Sequence, residues 1–231
     1  HVGSAYPHIT ISEGLNASQS GDTLLVHAGT YVESGLIISH ALTLLGIDNP
    51  TIDGNHDGEI ITVTSNDVSI EGFTFKGSGL SHLDENAAVR FEEAHNGSIS
   101  NNRFDDNFFA IYISESENCM IENNVINGLA QTESRSGNGI HLWYCKNINI
   151  RGNSISGHRD GIYLEFVETC VVSKNHSTGN LRYGLHFMFS NHNRYHDNRF
   201  DNNGAGVAVM YSRHVDMHNN VFADNWGSAA Y

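Results

Sequence analysis

Several things are scarce in this chain, and each scarcity removes a class of protein. Basic residues are few: 12 Lys and Arg stand against 26 Asp and Glu, for a formal charge of −14. Binding nucleic acid through its phosphates needs a basic footprint, so that class is set aside. Three cysteines, Cys119, Cys145 and Cys170, are too few for a disulfide framework. No apolar run reaches the 18 residues that a membrane-spanning helix requires. Proline occurs twice in 231 residues, whereas glycine occurs 23 times. The 15 histidines are scattered and form no tract.

What the chain has instead is a repeat, and a repeat decides which way each residue faces. The blocks GIHLWYCK, GIYLEFVE, GLHFMFSN and GVAVMYSR begin at Gly139, Gly161, Gly184 and Gly206, spaced by 22, 23 and 22 residues. Each block alternates. Ile140, Ile162, Leu185 and Val207, with Leu142, Leu164, Phe187 and Val209, make one apolar face. Between them lie His141, Tyr163, His186 and Ala208, then Trp143, Glu165, Met188 and Met210.

A ladder of Asn102, Asn124, Asn153, Asn175, Asn198 and Asn220 keeps the same period, with longer steps of 29 residues before Asn102 and before Asn153. Those steps place two insertions, at 80–86 and 129–136, which leave the repeat as loops. A unit of 22 residues with short alternating strands and Gly or Asn at its corners is a coil of a β-solenoid. Its strands are parallel and stack about 4.8 Å apart. The asparagines are read as turn residues that tolerate left-handed backbone and bond along the stack. Cys119 and Cys170 fall where Ile148 falls, inside the coil and two coils apart. Cys145 falls past the end of its strand, on the exposed side.

In chain order, residues 1–10 are a lead-in, and 11–231 form the solenoid. Residues 11–19 read as a short capping helix ahead of the turn at Gly21, Asp22 and Thr23. Asp53, Asn55, Asp57 and Gly58 look like the start of a calcium-binding loop, but Thr64 stands where the bidentate Glu belongs. The stretch is therefore an ordinary turn between strands. The chain opens at His1 without Met and stops just inside another coil. The expectation is a piece of a longer protein, its leader a removed signal peptide and its C-terminal coils missing.

The consecutive blocks GNGIHLWYCK, GHRDGIYLEFVE, NLRYGLHFMFSN and NNGAGVAVMYSR resemble the NosD proteins, periplasmic copper-related accessory factors for maturation of nitrous oxide reductase. The resemblance runs from about Ile11 onward. It implies an all-β, right-handed parallel β-helix in the periplasm. It further implies docking on an ABC transporter built of membrane and ATPase subunits, contact with apo nitrous oxide reductase, and handling of copper or a copper–sulfur cluster, without catalysis.

Candidate sites follow from the face that the coil does not use for its core. Tyr112, His141, Tyr163 and His186 form one outward column, with Trp143, Glu165, Met188 and Met210 beside it. Residues two apart on a strand share a face, and neighbouring coils bring columns within side-chain reach. The face is read first as an exposed aromatic and Met patch that packs on a protein partner, on a flanking loop or on a sugar, with Trp143, Tyr163 and Tyr112 as its contact residues. It is read second as a copper site of His186, Met188, Met210, Glu165 and His141, since thioether and imidazole suit Cu(I). His196 and His218, one coil apart on another face, are a second metal candidate. His56, His82, His158 and His176 read as isolated loop histidines. Arg159, Asp160 and Arg182 read as an exposed corner salt bridge. The competing class is a calcium-dependent polysaccharide lyase or epimerase, which would need several Asp around a central Lys or Arg on this face.

Overall fold

The structure, a computed structural model, describes residues 1–80 and 85–227. The chain enters through a helix, Ile11–Ala17, whose start is dictated locally. The Thr10 hydroxyl accepts from the Glu13 N–H at 3.1 Å, and the Glu13 carboxylate reaches back to the Thr10 N–H at 3.4 Å. This reciprocal capping satisfies donors that a first helical turn leaves open. Ile11 and Leu15 are buried beneath it. The helix ends two residues before Gln19, where Ser18 turns to extended backbone. The lead-in is part of the cap: Val2 is fully buried and bridges Val26 in parallel.

Beyond the helix the described chain is a parallel β-helix with three sheets. The first runs from Asp22–Val26 to Asp216–His218 and the second from Thr30–Val32 to Val221–Ala223, each of nine strands. The third, of eight strands, runs from Leu36–Ile38 to Ala205–Met210. Within each sheet every strand pairs with the equivalent strand of the coils before and after, so the ladder order is the chain order taken in threes. The inward columns are the core: Ile140, Ile162, Leu185 and Val207 lie in register and are fully buried, as are Leu142, Leu164 and Phe187.

The asparagine ladder has a structural role, by a route different from the expected one. The Oδ1 of Asn124, Asn153, Asn175, Asn198 and Asn220 each accepts the backbone N–H of the preceding ladder residue at 2.9–3.0 Å. The amide nitrogens donate to carbonyls one or more coils away, as from Asn153 to Ile121 at 2.9 Å. These asparagines therefore satisfy buried backbone groups at a corner where the strands stop. Left-handed backbone falls instead on the residue just before each, namely Asn101, Asn123, Gly152, Lys174, Asp197 and Asn219. A second ladder, through Asn180, Asn203 and Asn225, does the same at another corner.

The repeated glycines are enforced by close approach. A Cβ on Gly161 would stand 2.1 Å from Ser177 Oγ and 2.8 Å from the Gly184 carbonyl oxygen. All three cysteines are buried, including Cys145, whose thiol lies 3.3 Å from the Ile113 carbonyl. Cys145 was expected on the surface because its strand ends at Trp143, but the chain bends inward there before turning. The calcium-loop look-alike is a turn, closed by the Asn55 N–H donating to Asp53 Oδ1 at 2.9 Å. Among the described residues no helix is long and apolar enough to cross a membrane.

Candidate functional site

The outward face of the third sheet carries two side-chain columns, and the parallel register aligns them. Arg90, Tyr112, His141, Tyr163 and His186 stand opposite one another in successive strands. The Arg90 guanidinium lies 4.2 Å from the Tyr112 ring centre. The rings then follow at 4.6, 4.8 and 4.7 Å through Tyr112, His141, Tyr163 and His186. This column was expected to face solvent. It is instead covered: Tyr112, His141, Tyr163 and His186 are 6, 5, 8 and 2% exposed. Phe109 packs against both Tyr112 and His141, at 5.6 and 5.4 Å. Residues 133–136 and Glu85 close a cleft above them. Tyr112 and Tyr163 are therefore buried rather than exposed.

Beneath the column sits a charged cluster that the sequence reading placed at an exposed corner. Asp160 has no exposed surface. Arg182 grips it with both ends of the fork, Nε donating to Oδ1 at 3.0 Å and Nη2 to Oδ2 at 2.5 Å. His186 Nδ1 approaches Oδ2 at 3.4 Å, and the Tyr183 N–H donates to Oδ1 at 3.3 Å. Burial alone pushes the Asp160 carboxyl up, but hydrogen bonds from His186 and Arg182 outweigh it and hold the group below its ordinary value. His186 is thus held by its partner and packed between Tyr163 and Tyr183.

The second column runs Trp143, Glu165, Met188, Met210 and is half-buried. Glu165, Met188 and Met210 are consecutive neighbours in it. Burial first, and Glu85 second, push the Glu165 carboxyl above its usual range. His141 Nε2 lies 3.9 Å from Glu165 Oε2. The five copper candidates therefore divide between two columns, with Tyr163 separating the two histidines. Among the described residues no three of His, Cys, Asp and Glu gather closely enough to hold a metal ion.

His196 and His218 are stacked at 4.7 Å with rings 6° apart, and His196 Nδ1 is 2.8 Å from Asp197 Oδ2. A second stacked pair, His192 and His214, lies 4.7 Å apart. His158 is buried rather than a surface loop residue, and His176 is tied to Asp201 at 3.0 Å. His82 lies outside the described residues.

One exposed feature was not anticipated. Tyr144, Phe166, Phe189 and Tyr211 form a ladder of near-parallel rings, with centroids 4.6, 5.2 and 5.0 Å apart and planes within 14°. Tyr144, Phe189 and Tyr211 are 52, 43 and 78% exposed. All four sit at a sheet corner with φ between 50° and 54°, a left-handed conformation that costs a bulky residue about 1–2 kcal/mol. The same corner carries Glu93 and Glu115 in earlier coils. The coil thus tolerates a polar side chain here and gains no core from an aromatic one. Each ladder ring directly follows a second-column residue, which brings the ladder beside Glu165, Met188 and Met210. Trp143 packs edge-on against Tyr144 at 4.6 Å. The signal was present in the sequence as the pairs WY, EF, MF and MY, one per coil.

Residues 15–131 match the family model described as periplasmic copper-binding protein (NosD). The chain belongs to the NosD family. Residues 87–231, which include the aromatic ladder, match a right handed beta helix region. A probable ABC transporter binding protein NosD of Pseudomonas aeruginosa is 28% identical over 151 residues, covering 64% of this chain and 35% of that protein. The protein of the same description in Stutzerimonas stutzeri is 30% identical over 137 residues, covering 58% of this chain and 31% of that protein. The matches thus span about a third of the length of these NosD relatives. Among solved structures, polygalacturonase from Erwinia carotovora superimposes with a TM-score of 0.73 at 15% identity, over 94% of this chain and 77% of that one. At that identity the likeness establishes a shared fold, and function has to be argued from the site.

The buried histidines of this NosD-family chain make its stability depend on pH. Burial, and then Arg159, push His141 down to about 3, and burial pushes His158 down to about 4. An unfolded histidine titrates near ~6.5. The unfolded chain therefore binds protons more readily between those values. The stability is intact above about pH 6.5 and is lost as pH falls toward 4 and then 3. Urea unfolding at about pH 5 is expected to show a loss of about 4 kcal/mol relative to neutral pH, about 2 kcal/mol for each histidine. His141→Phe should flatten part of that slope. Equal midpoints at the two pH values would contradict the assignment of both histidines as neutral.

Proposed function

We propose that this protein is a periplasmic accessory protein without catalysis, which associates with an ABC transporter and carries copper as cargo toward nitrous oxide reductase. The observation that carries this reading is the exposed aromatic ladder beside the Met188–Met210 pair. The fold does not need either feature, and the ladder is placed against its backbone preference. Stacked rings present their edges outward, because their faces are occupied by one another. An edge-on apolar strip flanked by Lys146, Glu168 and Arg213 suits a protein surface with an apolar core and a polar rim. The membrane subunit of the transporter is the partner assigned to it, and apo nitrous oxide reductase receives the cargo.

The two methionines are register partners on adjacent strands, and a pair of thioethers suits Cu(I). Glu165 is the next group along, and the Nε2 of His186, buried and without a partner, is the nearest imidazole on the same strand. His141 approaches Glu165 at 3.9 Å but stands two coils before Met188. The lyase reading asked for several Asp around a basic centre. Among the described residues this face offers Asp160, already held by Arg182.

Competition of the purified protein against a chromogenic Cu(I) chelator tests the cargo site. Changing Met188 and Met210 together to Leu, which keeps the volume, should weaken Cu(I) binding at least tenfold, equivalent to about 1.4 kcal/mol. An unchanged affinity would move the site away from this column.

A further inference from the structure

Seven buried polar atoms among the described residues lack a hydrogen-bond partner, and five of them are concentrated in one place. They are Asn138 Nδ2, His141 Nδ1 and Nε2, His158 Nε2 and Arg159 Nε. Buried polar groups are nearly always satisfied, so such a concentration asks for an explanation. All four residues belong to the coil that follows the 129–136 insertion. That insertion overhangs two adjoining clefts, which share Phe108 and Ser136. The one over His141 has a volume of about 350 Å³, within the roughly 300–1,000 Å³ of small-ligand sites. His141 lines it and is 5% exposed.

The chemistry of the lining restricts the occupant. Arg159 Nε can only donate, and the neutral imidazole of His141 donates once and accepts once. The occupant must therefore bring acceptors and at least one donor, which a hydroxyl group does with a single oxygen. An anion would supply acceptors too, but Glu85, Glu133 and Glu165 all line this cleft against the one guanidinium of Arg159, and their summed charge repels it. The same carboxylates accept readily from hydroxyls. They do not converge as a metal cage would. Phe108 and Phe109, at right angles with centroids 5.0 Å apart, supply an apolar wall for the C–H face of a ring.

We propose that the cleft floored by His141, Arg159 and Tyr163 binds a neutral saccharide of one or two rings. This site lies under the insertion and is separate from the exposed ladder. It stands whether or not the protein carries copper.

Saturation-transfer NMR on the intact chain tests this with maltose, cellobiose and chitobiose as neutral probes, and digalacturonate and putrescine as anionic and cationic comparators. Transfer to at least one neutral disaccharide is expected, with none to the charged pair. Ser134→Trp, on the exposed lip of the cleft, should abolish the signal with no change in melting temperature. His141→Phe keeps the ring in its column and removes both nitrogens, and should weaken binding at least tenfold. The proposal is overturned if no neutral probe shows transfer, if a charged comparator binds as well or better, or if the signal survives in both variants.

Discussion

Replacing Asp160 by Ala is expected to lower the free energy of unfolding by about 3–5 kcal/mol, the range for removing one partner of a buried ion pair. The carboxylate is fully buried and accepts both ends of the Arg182 fork, so its loss leaves a guanidinium, itself only 27% exposed, without its counter-charge. It also leaves His186 Nδ1 without an acceptor, beside an Nε2 that already has none. Urea unfolding at neutral pH measures the effect. Removing both charges together, as Asp160→Leu with Arg182→Leu, should cost less than Asp160→Ala alone, because no charge is then stranded. Arg194 and Asp216 serve as the comparison. They pair at 3.9 Å with side chains 56 and 71% exposed, and Arg194→Ala should cost under ~1 kcal/mol. A small loss in the Asp160 variant would mean that water reaches the cluster.

Substitution in the aromatic ladder should have the opposite pattern, a large effect on association and little on folding. Phe189→Asn or Tyr211→Asn places at φ near 50° a residue that tolerates that backbone. The relief of strain offsets the lost ring stacking, worth about 0.5–1.5 kcal/mol per pair. The melting temperature should therefore hold. Binding to the detergent-solubilised transporter, followed by biolayer interferometry, should weaken roughly thirtyfold for each change, the ~2 kcal/mol of an interface anchor. An affinity unaffected by both changes would remove the ladder from the docking surface and the proposed transporter contact with it. Weak binding with a lowered melting temperature would instead make the ladder a fold element.

These two tests separate residues that sequence periodicity classifies alike. Asp160 and Phe189 both lie at the ends of strands in the same sheet, next to blocks of the same repeat. One is sealed beneath the column and the other stands in solvent. Periodicity states the side of the strand from which a residue leaves, and it states this well. Ile140, Ile162, Leu185 and Val207 are core, as their alternation required. The asparagine ladder, the buried Cys119 and Cys170 and the parallel coils were legible for the same reason. Each depends on contacts between equivalent positions one period apart.

The outward face was legible only as outward. Tyr112, His141, Tyr163 and His186 leave the sheet on the side away from the core, as the alternation said, yet all are covered. Phe109 packs on Tyr112 and His141, and Tyr183 packs on His186, while the insertion at 129–136, which breaks the period and so carries no register with the column, overhangs the cleft above His141 and Tyr163. Asp160 is enclosed by its own partners, Arg182, His186 and the Tyr183 backbone, which come from the next coil. The aromatic ladder, by contrast, was written in the sequence at one ring per coil. It was overlooked because its corner position belongs to neither alternating face. The sequence alone therefore determined the coil, its period, its core and the side from which each residue departs. Only the tertiary structure decided which departing residues meet water, because non-repeating segments fold over a repeating surface at places that no period encodes.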